Sequence, residues 1–180
     1  MAEGQLITRT SLRSPRSAAH DQPASVEVVY VRHYRAVFRY VLGLTRSAME
    51  AEDVAAETFE RAVRVWDTRP PAKDSELPWL LLTARRLATD RWRRARRQAA
   101  LALTGRGQHA DAGEEQTEFW LWFDAVARVL SARQREVLLL RYERDLSDVD
   151  IGRIMGLSPS GVRSLVARAL DALRAHPELL

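Results

Sequence analysis

The stretch that most constrains the fold lies near the C-terminus and reads DVDIGRIMGLSPSGVRSLVARALDALR, Asp148–Arg174. Apolar residues recur at helical spacing on both sides of Gly156, which suits the left-handed end of a helix. Ser158-Pro159 then supplies an N-cap and a first-turn residue for a second helix. Two short helices joined by such a turn predict a helix-turn-helix, whose second helix commonly enters the major groove of DNA.

The outer face of that second helix supplies the candidate DNA contacts. Arginine donates hydrogen bonds to guanine or to phosphate, and backbone amides at a helix N-terminus can hold a phosphate. An ordinary helical hairpin with solvated arginines remains an alternative. Gly152 is expected to allow a close helix contact at a cost of about 1 kcal/mol in helix stability relative to alanine. The candidate contacts are Ser160, Gly161, Arg163, Ser164, Ala167 and Arg168.

Composition excludes several classes of site. The 180 residues contain no cysteine, so disulfides, thiolate zinc sites and cysteine nucleophiles are excluded. The four histidines show no metal-ligand spacing, and we expect neither a metal nor a cofactor. No apolar run approaches the roughly 20 residues that span a bilayer. The lack of cysteine suits a protein of the reducing cytoplasm.

The hydrophobic pattern predicts an all-α protein with two small helical domains joined by a flexible linker, the second containing the helix-turn-helix. Predicted N-caps are Ser25, Ser47 (a capping box with Glu50), Ser131, Ser147 and Ser158. A loop is expected over residues 67–77, and Pro78 in the first turn of a third helix that ends near Arg97. The predicted segments are a leader at 1–25, domains at 26–98 and 117–180, and a glycine-containing linker at 99–116. A disordered leader is favoured over a transit peptide.

The predicted third helix carries a dense cluster of arginines. Residues 85–97 contain seven arginines and one acid, Asp90. An arginine stripe beside Trp92 suits a DNA backbone with an unstacked base. A solvated charged face is the alternative.

The second helix is acidic where it begins. Asp53 and Glu57 lie one turn apart, yet no third ligand, histidine or glycine-rich loop is close in sequence. Acid–base catalysis and metal binding are therefore disfavoured. A protein-docking surface and simple matching of the helix dipole both remain open.

Three stretches together resemble the extracytoplasmic-function (ECF) sigma factors of the bacterial sigma-70 family. They read AEDVAAETFERAVRVW, PWLLLTARRLATDRWRRARR and LSARQREVLLLRYERDLSDVDIGRIMGLSPSGVRSLVARALDALR. The last alone also resembles the DNA-binding domain of response regulators, but the ordered set is more specific. Departures from the family pattern are Ser160-Gly161 in place of Gly-Thr, Leu165 where a basic residue is common, and Gly152 in place of alanine.

The resemblance implies a role for each part of the chain. The C-terminal helix would read the −35 promoter element, and the linker would thread toward the polymerase active-site channel. RNA polymerase core, through the clamp helices of its largest subunit, promoter DNA and an anti-sigma factor are the implied partners. Core binding would involve Asp53, Glu57, Phe59, Arg61, Ala62 and Trp66. The −10 element, with a flipped base, would involve Lys73, Asp74, Ser75, Arg85, Arg86, Trp92, Arg93, Arg96 and Arg97.

Two other functions compete with a sigma factor. A stand-alone helix-turn-helix regulator would need a dimer interface and a two-fold operator, and it leaves the acidic helix unexplained. An enzyme is disfavoured, because no nucleophile–base pair, phosphate loop or metal set is found.

Overall fold

A computed structural model describes residues 25–66, 68–102 and 125–177, which contain helices and turns and no strand. The all-α prediction is confirmed. The predicted leader lies outside the described residues except for Ser25, and so do residues 103–124, which include most of the predicted linker. The helices are α1 Val26–Thr45, α2 Ala48–Trp66, α3 Glu76–Ala102, α4 at residues 125–129, α5 Ala132–Leu138, α6 Asp148–Met155 and α7 Pro159–Arg174. Two short elements complete the set, a 3-10 turn at Lys73–Ser75 and a π-helical segment at Leu139–Glu143.

The predicted N-caps are found at the predicted residues, with two differences. Ser47 Oγ accepts from the amide of Glu50 at 3.3 Å. The amide of Ser47 donates to Thr45 Oγ1 at 3.3 Å, so only one half of the predicted capping box is seen. Ser25 occupies the N-cap of α1 without a side-chain capping bond.

Helix α3 is longer than predicted at both ends. It begins at Glu76, inside the predicted loop, which leaves Pro78 in its first turn as expected. It continues past Arg97 to Ala102 and so enters the segment predicted to be a linker. Alanines at 99, 100 and 102 favour helix, which accounts for the extension.

A single apolar core extends through both halves of the described chain. Helices α1–α3 pack together, α5–α7 form the second half, and α3 also packs against α6. The largest buried side chains include Tyr40, Leu80, Leu140 and Ile151. A smaller cluster beside it holds Val126, Leu130, Ala169 and Leu173.

The π-helical segment was not predicted. It follows α5 directly and brings Leu139 against α1, where a Cβ built on Gly43 would lie 3.1 Å from Leu139 Cδ2. This contact lets the two halves approach closely. No helix in the described ranges is both long and apolar enough to cross a membrane.

Candidate nucleic-acid interface

The turn of the helix-turn-helix depends on two glycines. Gly156 ends α6 with φ 67° and ψ 44°, the left-handed conformation that glycine adopts without strain. The amides of Gly156 and Leu157 both donate to the carbonyl of Gly152, the latter at 2.9 Å. A Cβ on Gly152 would lie 2.6 Å from the Leu157 carbonyl oxygen. The close contact predicted at Gly152 is therefore made with the turn of the helix-turn-helix itself.

Helix α7 presents the predicted contact residues on one side. Ser158 Oγ accepts from the amide of Gly161 at 3.1 Å, as predicted for its N-cap. Val162, Ala169 and Leu173 are buried on the opposite side. Gly161 is half-buried, and the exposed residues are Ser160, Arg163, Ser164, Ala167 and Arg168.

Arg163 is oriented by an acid on the preceding helix. Its Nη1 lies 3.2 Å from Asp148 Oδ2, and Arg141 bonds to the other oxygen of the same carboxylate. The Arg163 side chain nevertheless remains 63% exposed. Asp148 therefore orients the guanidinium of Arg163, one of the residues predicted to contact DNA. Helical periodicity does not reveal this role of Asp148.

A second cationic face lies on the C-terminal half of α3. Trp92 is 59% exposed, and the guanidinium carbon of Arg96 lies 5.3 Å from the centre of its ring, within cation–π range. Arg93 and Arg97 line the same shallow cleft. Asp90 is 4.0 Å from Arg93, a long contact between two exposed side chains that leaves the face cationic.

Arg85 lies two helical turns before Trp92 and has a different environment. Its Nε donates to Glu136 Oε1 at 2.6 Å, across to α5. Burial opposes the charge on Arg85, but the bond to Glu136 outweighs burial and raises the pKa of the guanidinium above its ordinary value. Arg86, its neighbour in the chain, is exposed.

The short turn before α3 is attached to α1 through a buried acid. Asp74 is exposed and Ser75 is half-buried, whereas the side chain of Lys73 lies outside the described part of the chain. Glu76, only 2% exposed, contacts Arg32 Nη1 at 3.1 Å and His33 Nε2 at 3.2 Å. These bonds fix the start of α3 and the turn preceding it.

Three of the six residues assigned to polymerase docking remain available on the outside of α2. The side chains of Asp53, Glu57 and Arg61 are 63%, 30% and 45% exposed. Arg91 of α3 bridges the two acids, at 3.4 Å from Asp53 and 2.9 Å from Glu57.

The other three lie in the core of this structure, and their contact with polymerase stays a prediction. Phe59 and Trp66 are each 5% exposed and Ala62 is fully buried. Phe59 packs edge-to-face on Tyr30, with ring centres 4.9 Å apart. Trp66 does the same on Trp79 at 5.5 Å. Their apolar surface is buried inside the helical bundle, so the exposed part of the predicted docking surface consists of Asp53, Glu57 and Arg61.

Comparison with known proteins follows this division of the molecule. The Sigma-70 region 2 model matches residues 29–98, which contain α1 from Val29 onward, α2, and α3 up to Gln98, and the Sigma-70, region 4 model matches residues 127–175. ECF RNA polymerase sigma factor SigL of Mycobacterium tuberculosis is 32% identical over 166 residues, covering 87% of this chain and 91% of the relative. The chain belongs to the ECF sigma factors. As such it is an RNA polymerase subunit that directs transcription initiation and binds polymerase and promoter DNA.

Solved structures support the same fold for this sigma factor. The sigma factor RpoE from Bartonella quintana, solved with the anti-sigma factor NepR, matches with a TM-score of 0.65 at 20% identity, over 85% of this chain and 94% of that one. CnrH, solved with the cytosolic domain of CnrY, matches with a TM-score of 0.61 at 18% identity, over 85% and 87%. A stand-alone regulator is not favoured, because the region 2 match accounts for α1–α3, which a lone helix-turn-helix does not need.

Proposed function

We propose that three separate surfaces of this sigma factor divide the work of promoter recognition. The arginine–tryptophan face of α3 takes the opened −10 element, the exposed side of α2 docks on core polymerase, and α7 reads the −35 element. The observation that carries this proposal is the exposed Trp92 with Arg96 stacked on it, because an aromatic ring framed by cations suits single-stranded DNA.

The −10 assignment is supported by the chemistry of the α3 face. Trp92 offers a flat surface on which an unstacked base can rest, and Arg93, Arg96 and Arg97 neutralise the phosphates beside it. The Lys73–Ser75 turn, attached through Glu76, is the proposed pocket for the flipped base. Arg86 is exposed and can join this contact, whereas Arg85 must first leave Glu136.

The −35 assignment is supported by the orientation of α7. Ser160 and Gly161 lie at the helix N-terminus, where a phosphate is favoured; the amide of Gly161 already donates to Ser158 Oγ, so a phosphate would have to share or replace that bond. Arg163, Ser164, Ala167 and Arg168 follow on the exposed side, at positions that reach base edges in a helix-turn-helix complex.

The polymerase-docking assignment now rests on Asp53, Glu57 and Arg61. Substituting Asp53→Lys reverses a charge that is 63% exposed and is expected to weaken association with core polymerase by about 5–30-fold, on the order of 1–2 kcal/mol. Asp171→Lys is the matched control, because Asp171 is 69% exposed on α7. Competition binding against a labelled sigma factor measures both. Equal weakening by the two variants, or none by Asp53→Lys, would remove α2 from the docking surface.

Regulation by a protein inhibitor is part of the proposal. The structurally similar RpoE and CnrH were each solved with a second protein, an anti-sigma factor in the case of RpoE. We extend to this chain an anti-sigma partner, a cytoplasmic location and the absence of catalytic activity of its own. We also propose that the chain has two domains, and that the linker between them runs toward the active-site channel of the polymerase.

Transcription initiation in a purified system tests the whole assignment. The chain is mixed with core polymerase and a promoter library, and the start sites of the transcripts are sequenced. Initiation at templates sharing two sequence elements is expected. No initiation, together with tight binding of the free chain to a two-fold operator, would contradict it.

A further inference from the structure

A carboxylate at the start of α6 binds arginines from two other elements. Asp148 is the first residue of α6, where the helix dipole favours a negative charge. Its Oδ2 accepts from Arg163 Nη1 on α7 at 3.2 Å, and its Oδ1 accepts from Arg141 Nη2 in the π-helical segment. The side chains of Asp148 and Arg141 are 22% and 28% exposed, so this end of the network is half-buried. Arg141, Asp148 and Arg163 therefore form a triad of charges behind the outer face of α7.

The charge of Arg141 offsets that of Asp148 toward DNA. The first helix of a helix-turn-helix crosses the DNA backbone, and α6 is the first helix of this motif. A lone carboxylate at its start would repel the phosphates. Two arginines and one acid leave the triad with a net positive charge. Asp148 can therefore hold Arg163 while the triad as a whole still attracts DNA.

The contact with Asp148 leaves one edge of the Arg163 guanidinium available. A guanidinium carries five N–H donors in a fixed planar fork. Asp148 contacts the group at Nη1, whereas Nε and Nη2 form a separate edge with two parallel donors. Such an edge matches the O6 and N7 acceptors of guanine in the major groove. Because the Arg163 side chain is 63% exposed, a base can reach it.

Holding the guanidinium in one orientation favours a base over a phosphate as its partner. Phosphate contacts carry no sequence information directly, so an arginine that turns freely toward the backbone does not discriminate between bases. A two-bond contact with guanine requires the guanidinium plane to match the edge of the base, and an arginine that is already oriented loses less freedom on binding. An ion pair with one exposed partner contributes little to stability. Its main effect here is on what Arg163 binds.

We propose that Asp148 is a positioning residue that directs Arg163 to a guanine in the −35 element, and that Arg141 holds Asp148 in place for this task. The inference rests on the proposed function, since it uses the assignment of α7 to the −35 element. Asp148 acts through Arg163 and contacts no base itself. The −35 element accordingly contains one guanine whose selection depends on Asp148, and the other positions are selected without it.

Promoter selection with the complete polymerase tests this inference. A promoter that initiates in the purified system is randomised across its −35 element, templates bound by core polymerase with each variant are recovered, and the recovered templates are sequenced. Asp148→Asn keeps the shape of the side chain and removes its charge. The preference for guanine should fall about 3–10-fold at one position and stay within about twofold elsewhere. Binding to a template without a −35 element should not weaken, because the variant has lost a negative charge.

Variants of Arg163 show whether Asp148 acts through this arginine. Arg163→Lys keeps a charge for a phosphate but cannot form the two-bond contact, so it should lose the same guanine preference. Adding Asp148→Asn to Arg163→Lys should cause no further loss, because both residues act on one contact. Asp171→Asn, at a position 69% exposed on α7, is the control for the loss of one negative charge and should select the same sequences as the wild type.

Three results would overturn the positioning role. The first is an unchanged guanine preference in Asp148→Asn, and the second is an unchanged preference in Arg163→Lys. The third is an equal loss at every −35 position in Asp148→Asn, because Asp148 would then only hold the fold of the motif. A wild-type chain that initiates but selects no base anywhere in the randomised element would instead overturn the assignment of α7, and this inference with it.

Discussion

Replacing Gly152 by alanine tests the geometry of the helix-turn-helix. Alanine favours a helix interior over glycine by about 1 kcal/mol, so local propensity alone predicts a gain in stability. The added Cβ would lie 2.6 Å from the Leu157 carbonyl oxygen, a backbone atom in a turn whose two amides bond back to Gly152. Forcing such a contact apart costs about 1–3 kcal/mol.

The two terms give a net loss of about 1 kcal/mol, which lowers the melting temperature by about 2–4 °C in a chain of this size. Urea denaturation of the wild type and Gly152→Ala measures the difference. Ala167→Gly, at an exposed position on α7, calibrates the propensity term within the same half of the molecule. If Gly152→Ala is more stable by about the amount that Ala167→Gly loses, the steric argument is refuted.

Two further predictions concern buried ionisable groups. Burial, then the charge and hydrogen bond of Glu136, raise the pKa of Tyr40 well above its ordinary value. Because the folded pKa exceeds the unfolded one, the free energy of unfolding should fall as pH rises above about 10, by up to about 1.4 kcal/mol per pH unit from this residue. Tyr40→Phe should make that fall shallower in urea titrations between about pH 9 and 11, and an unchanged slope would contradict the assignment. Glu76→Gln weakens the bonds to Arg32 and His33, so it should lower the free energy of unfolding in urea titrations by about 1–3 kcal/mol. The control Glu60→Gln should lower it by less than about 0.5 kcal/mol. Equal losses in the two variants would argue against a structural role for Glu76.

The sequence predicts well those features that neighbouring residues determine. Ser131, Ser147 and Ser158 cap their helices through an amide three residues ahead, and Gly156 takes the left-handed conformation. Each depends on a few residues of local backbone. The exposure of Trp92 can be predicted in the same way, because helical spacing alone places this residue away from the buried side of α3.

Partners distant in sequence could not be predicted. The bond from Tyr40 to Glu136 joins residues 96 positions apart. Helical periodicity identifies the buried side of each helix, but it does not identify the helix that packs there. It could therefore not show that Arg85 pairs with Glu136 or that Gly43 admits Leu139.

The docking residues show how a resemblance can conflict with periodicity. Phe59, Ala62 and Trp66 repeat at the three- and four-residue intervals of one apolar stripe on α2, which predicts burial in this protein's own core. The family resemblance instead assigns them to polymerase docking, which stays a prediction, while the structure shows the burial that the spacing predicts. Asp53, on the exposed side, is where the two lines of reasoning agree.

Transcription with altered promoters tests the central assignment most directly. Arg163→Ala with Arg168→Ala is compared with Trp92→Ala with Arg93→Ala on templates substituted in either the −35 or the −10 element. The α7 pair should lose its sensitivity to −35 substitutions, and the α3 pair should lose −10 discrimination and strand opening. Arg174→Ala, at a position 68% exposed on α7, should behave as the wild type. Equal loss of discrimination at both elements by either pair would contradict the assignment of one element to each half.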